Sequence, residues 1–150
     1  MVILACVIAE DELARTVGHR MPGGTARVEY YADWLLRDAL GAPPPADGLA
    51  HPTHAFLAAQ GNVGLSLEEV FAMFGASPAD GPMLGEWEVE FAEPLRLDLD
   101  YPVTCVVESA RRKTGARTGV FDLVTVRIEL AGPDGRVHVT VRPTYVFPRR

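Results

Sequence analysis

A chain of 150 residues, 48 % apolar and 23 % charged, can bury a core without disulfides or metal, and it reads as one domain spanning 1–150. The formal charge of −6 and a pI near 5.1 argue against nucleic acid as the main partner, because phosphate binding needs a basic face. Cys6 and Cys105 are far apart and match no metal or redox spacing, which fits a reducing, cytoplasmic compartment.

The opening MVILACVIA lacks a basic n-region and runs straight into Glu10, Asp11 and Glu12. It reads as an ordered first segment, either a strand over 2–9 or the lead-in to a helix, and not as a signal peptide. No stretch is long enough to span a membrane, so no membrane partner is expected. A helix is expected over about 10–17, with acidic residues in its first turn and Gly18 at its stop. MPGG (21–24) predicts a turn, and Thr25 to Glu29 a short strand. From Tyr30 to Leu40, the apolar residues Tyr31, Trp34, Leu35 and Leu40 recur at helical spacing, leaving Asp33, Arg37 and Asp38 for the outside. Gly41 ends that helix, and the three prolines of GAPPPADGLA (41–50) hold the next segment extended.

The stretch His51–Phe74, HPTHAFLAAQGNVGLSLEEVFAMF, is apolar on nearly every side and predicts a helix buried on most faces. Pro52 suits its first turn. Gly61 and Gly64 predict a break near 61–65, and Ser66 with Glu69 forms a capping box that restarts the helix. GASPADGP (75–82) is loop.

Everything after Pro82 reads as strand. In Glu86–Phe91, Trp87, Val89 and Phe91 alternate with three glutamates, predicting one buried and one wet face. Val103–Ala110 is a second strand, RRKTGAR (111–117) a basic hairpin loop, and Thr118–Leu130 a long strand with Val124, Val126, Ile128 and Leu130 on one face. GPDG (132–135) predicts a tight turn, after which Arg136–Phe147 returns with Val137, Val139 and Val141 inward.

A curved, mainly antiparallel sheet wrapped around one central helix is an α+β arrangement, the hot-dog fold. The segments EDELARTVGHRMPGGTARVEYYADWLLRDALGAPPP and GEWEVEFAEPLRLDLDYPVTCVVESARRKTGARTGVFDLVTVRIELAGPDGRVHVTVRPTYVF resemble the MaoC-like proteins related to the fatty-acid-synthase dehydratase. In that family a short strand leads to a helix ending in Gly-Asp. A proline-rich loop follows, then a Pro-Thr start to the central helix. Here Thr25–Glu29, Tyr30–Leu40, Gly41–Pro45 and His51–Thr53 stand at those places. The resemblance implies hydration or dehydration of an acyl thioester carried on coenzyme A or an acyl carrier protein, with no cofactor. It also implies a homodimer, or a heterodimer with another hot-dog subunit. The family's water-activating Asp and His do not carry over: Ala42 follows Gly41, and the loop continues PPPADG without a histidine.

Other residues must then supply the chemistry. His51 and His54, at the expected helix start, are the candidate proton-transfer groups beside N–H donors able to hold an oxyanion. Asp47 is the nearest carboxylate to the vacant position, and Asp38 a second choice; an Asp before Gly also serves simply as a turn residue. Thr53, Asn62, Tyr31 and Trp34 are candidate substrate contacts, with helix breaking the alternative for Asn62 and core packing for the aromatics. A metal is not expected, because H-x-x-H lacks a third ligand nearby. Arg111, Arg112, Lys113 and Arg117 either meet carrier phosphates or are solvated. Ser66 and Ser77 lack a His–Asp pattern. Three functions compete: a hydratase or dehydratase with a rearranged acid–base site, a silent subunit completing a partner's site, and a thioesterase or cyclase-type tailoring enzyme of polyketide or fatty-acid metabolism.

Overall fold

The computed structural model describes residues 7–149. In chain order the elements are α1 (Glu10–Arg15), β1 (Gly24–Arg27), α2 (Tyr30–Leu40), α3 (His54–Gln60), α4 (Leu67–Met73), a 3-10 turn (Pro78–Asp80), β2 (Met83–Phe91), β3 (Asp100–Gly115), β4 (Gly119–Ala131) and β5 (Val137–Arg149). The strands form one antiparallel sheet in the order β1-β3-β4-β5-β2. Register shifts at Leu84/Glu86, Val107/Ser109 and Leu130/Ala131 mark irregularities that add twist and bend the strands. The expected curved sheet around a central helical segment is therefore present.

Alternation places Tyr101, Val103, Cys105 and Val107 of β3, Val124, Val126, Ile128 and Leu130 of β4, and Val139, Val141, Tyr145 and Phe147 of β5 in the core. α3 packs on β1, β4 and β5. Its contact face is Ala55, Ala58 and Ala59, small residues that let the helix backbone approach the sheet closely. α4 adds Phe71, whose ring centroid lies 5.6 Å from that of Phe147 and 6.0 Å from that of Tyr145; Phe74 stacks on Phe147. Such aromatic pairs contribute about 0.5–1.5 kcal/mol each beyond the area they bury. Cys105 lies among these groups, where burial pushes its thiol up to about 12; Cys6 is outside the described residues.

The break in the central segment falls between α3 and α4, and the Ser66–Glu69 capping box restarts the chain as expected. Gly64 has φ +83°, and a Cβ there would lie 2.4 Å from the Gly23 carbonyl oxygen. The break is thus docked against the MPGG turn, where the Gly23 N–H donates to Val63 O. Gly64→Ala combines a left-handed backbone with a clash against main chain. It is expected to cost about 2 kcal/mol or more in urea denaturation, whereas Gly48→Ala, whose Cβ meets nothing within 4 Å, carries the φ penalty alone.

Several expectations are corrected. The strand alternative for 2–9 falls mostly outside the described residues, and Val7–Ala9 show no strand. RRKTGAR is not a loop: β3 runs on to Gly115, and only 116–118 turn. Val137 is exposed. The central segment is not buried all round, because Leu57 and Leu67 face outward. β2 is an edge strand, and its expected buried face is open: Trp87 is 47 % and Phe91 43 % exposed. α2 is turned over relative to expectation. Tyr31, Trp34, Leu35 and Leu40 are exposed, and its one buried residue is Asp33. Polar bonds, not the apolar stripe, set that orientation.

Candidate functional site

The Asp33 side chain is 0 % exposed, and a buried carboxylate requires partners. Arg37, one helical turn on, donates from Nε to Oδ2 at 2.6 Å. The same guanidinium donates to Pro43 O and Leu49 O, both at 3.2 Å. One side chain thereby stitches the proline-rich loop to α2. Oδ1 accepts the His51 backbone N–H at 2.6 Å, fixing the chain just before α3. Burial alone would raise the Asp33 carboxyl, but the His51 N–H and Arg37 outweigh it and hold the group below the ordinary carboxylate range.

His54 is buried against this pair. Its Nε2 lies 3.4 Å from Asp33 Oδ1 and has no hydrogen-bond partner. Burial lowers its pKa, helped by His51 and Arg37 and opposed by Asp33, so the ring is neutral near pH 7. His51 turns its ring back along the chain, and its Nδ1 accepts the Thr53 N–H at 3.3 Å. The His54 N–H goes to His51 O and the Ala55 N–H to Pro52 O. The N–H groups expected to greet an acyl carbonyl at residues 53–55 are therefore already engaged.

The sequence candidates are only partly brought together. His51 and His54 converge, but the carboxylate between them is Asp33, which the helical pattern had assigned to the surface. Asp47 is exposed in a turn with φ +57°, the duller of its two readings, and Asp38 is exposed on α2. Asn62 donates from Nδ2 to Ala58 O at 2.8 Å, closing the end of α3. Tyr31 and Trp34 lie on the open face of α2, and Thr53 is exposed at the start of α3. Arg112 is not a free carrier-binding charge: it pairs with buried Asp122. Among the described residues, no group of three or more His, Cys, Asp or Glu could hold a metal.

Two clefts flank α3 on the side of β2. One, of about 200 Å³, is lined by Ala50, His51, Pro52 and the segment Phe91–Leu95. The other, of about 260 Å³, lies among Phe56, Gln60, Leu67, Phe71, Met83, Leu84 and Tyr145. Phe56 meets Trp87 at 4.9 Å between ring centroids and joins α3 to the edge strand. In the second cleft Gln60 Nε2 donates to the Tyr145 hydroxyl, while Gln60 Oε1 is buried without a partner. Burial pushes the Tyr145 phenol up to about 12, so it stays protonated and able to donate. This amide–phenol pair was missed from the sequence. Its one signal was a lone polar side chain closing the apolar run HAFLAAQ.

No family model and no curated protein matches the sequence. Among solved structures, the ChsH1-ChsH2 complex from Mycobacterium tuberculosis is similar at TM-score 0.70 and 13 % identity, over 93 % of this chain and 91 % of that one. The C-terminally truncated HadBC (3R-hydroxyacyl-ACP dehydratase) complex from the same organism is similar at TM-score 0.66 and 16 % identity, over 87 % and 96 %. The R-hydratase PhaJ1 from Pseudomonas aeruginosa is similar at TM-score 0.55 and 14 % identity, over 89 % and 83 %. With the curved antiparallel sheet and the helical segment it holds, these likenesses establish that the chain has the hot-dog fold.

Proposed function

We propose that this chain is one subunit of a hot-dog assembly of the hydratase or dehydratase type, acting on an acyl thioester of coenzyme A or an acyl carrier protein, and that it completes a partner's site. The commitment of Asp33 carries the reading. Its two oxygens accept from Arg37 and from the His51 N–H, so the carboxylate is a tether and not a free base. A water-adding site needs a base and an acid in reach of one substrate, and among the described residues the carboxylate paired with His54 is this same committed Asp33. The clefts point the same way: each is below the roughly 300 Å³ at which pockets for drug-sized ligands begin, and each is lined in part by the edge strand β2, by Phe91 in one and by Met83 and Leu84 in the other. Two of the structures similar in fold are complexes, one of them a 3R-hydroxyacyl-ACP dehydratase, and a third is an R-hydratase.

A second reading has its own support. His54 Nε2 lacks a partner and faces Asp33, an arrangement that lets one imidazole move a proton. The chain would then be a hydro-lyase by itself. Incubating the purified chain with a trans-2-enoyl-CoA and following enoyl absorbance separates the two. Completion predicts no turnover alone and turnover on adding the partner subunit. Autonomous catalysis predicts turnover alone, lowered roughly 10²–10⁴-fold by His54→Gln. Release of free thiol from acyl-CoA in the same assay would replace both readings with a thioesterase.

A further inference from the structure

β2 is bonded to β5 on one side only, so its other side presents unpaired backbone donors and acceptors. One face of this edge is apolar: Leu84, Trp87, Val89 and Phe91 stand on it by register with the inward row of β5, and Leu67 lies beside Leu84 in the adjoining cleft. The other face carries Glu86, Glu88 and Glu90 in alternation. Behind that row, Arg142 of β5 pairs with Glu88 at 3.1 Å, Glu90 at 3.5 Å and Glu108 at 3.3 Å. Arg127 pairs with Glu108 and Glu129. Four carboxylates thus share two guanidiniums, and the surplus negative charge lies at the rim, where Glu88 and Glu90 are more than 60 % exposed.

Consider a second copy pairing its own β2 here, antiparallel about a two-fold axis. Residues directly opposite lie on the same face, so Glu86 meets the copy's Glu90 and Glu88 meets its counterpart. A shift by two or four residues in either direction still sets glutamate against glutamate. A shift by an odd number puts the glutamates against the tryptophan face, which the pleat forbids. Each directly opposed like pair weakens pairing by a factor of about two to five, and Arg142, already shared among three carboxylates, cannot neutralise a second row.

We propose that the open edge of β2 docks the edge strand of a second, non-identical hot-dog subunit that carries Lys or Arg on its outward face, and that the row Glu86, Glu88 and Glu90 disfavours pairing with a second copy of this chain. The inference rests on the two-subunit reading above and adds the partner's chemistry. The apolar face supplies contact area, and the glutamates supply the choice of partner.

A charge-swapped copy stands in for the partner. Wild type is mixed with Glu86→Lys/Glu88→Lys/Glu90→Lys and the species are counted by native mass spectrometry. The mixed dimer should exceed each homodimer by roughly tenfold over the statistical ratio. Because the swapped copy could fail to fold, wild type alone is also measured by sedimentation. Its self-association should tighten between 50 mM and 1 M NaCl as repulsion is screened, and tighten likewise in Glu86→Gln/Glu88→Gln/Glu90→Gln. Statistical mixing, or a tight wild-type homodimer indifferent to salt and to the glutamine variant, overturns the proposal; so does the absence of any dimer in the mixture. A tight homodimer that is inactive alone removes only the charge selection. One that hydrates an enoyl thioester unaided removes the completion reading as well.

Discussion

Asp122→Ala lowers the unfolding free energy by about 3–5 kcal/mol, the range for stripping one partner from a buried ion pair. Asp122 is fully buried in β4, on the same inward row as Val124 and Val126. Arg112 reaches it from β3 with two bonds, Nε to Oδ1 at 2.8 Å and Nη2 to Oδ2 at 3.0 Å. Arg149 donates from Nε to Oδ2 at 2.7 Å. Both guanidiniums then go on to main chain: Arg112 to Ile8 O at 2.7 Å, and Arg149 to Gly75 O at 2.9 Å and Phe74 O at 2.5 Å. The triad therefore ties the end of α4 and the segment before α1 to three strands at once.

Removing the carboxylate leaves two buried cations facing each other with their carbonyl bonds intact. For a domain of this size the melting temperature should fall by roughly 6–20 °C. Asp122→Leu combined with Arg112→Met and Arg149→Met should recover most of the loss, because an apolar triad of similar volume avoids desolvating charge. Urea denaturation measures both. A loss under about 1 kcal/mol for Asp122→Ala would mean that water reaches the triad and the bonds are not a clamp.

Asp33→Asn is the second large effect, again about 3–5 kcal/mol at neutral pH, and it carries a pH signature. The folded pKa of His54 is depressed, so between that value and the unfolded value near 6.5 the unfolded chain binds the extra proton. Stability is constant above about 6.5 and falls as the pH drops below it. Asp33 is also depressed in the folded state. Its contribution is complete above the unfolded value near 3.8 and is lost as pH falls through the lower, folded value. Melting temperatures recorded from pH 7.5 down to 4 should decline from about 6.5. In His54→Gln, which cannot titrate, that part of the decline should disappear. In Asp33→Asn the decline should persist to lower pH, because the carboxylate that favours the imidazolium is gone. An unchanged slope in His54→Gln would show that His54 titrates alike in the folded and unfolded chain.

Local chemistry made much of this molecule readable before any fold was in view. The inward row Val124, Val126, Ile128 and Leu130 follows from alternation, which the pleat enforces residue by residue. The Ser66–Glu69 box, the stop at Gly41 and the break beside Gly64 follow from hydrogen bonds and backbone angles spanning a few positions. The site was less legible, because its partners come from distant parts of the chain. Asp33 meets His51 across 18 positions, Arg149 meets Asp122 across 27, and Gln60 meets Tyr145 across 85. No window of sequence contains both members of the longer pairs, so the pattern of α2 placed Asp33 outside and Tyr31 and Trp34 inside. The tertiary structure reversed that, since a buried carboxylate with an arginine and a backbone N–H in reach outweighs the preference of an apolar stripe for a core already filled by the sheet.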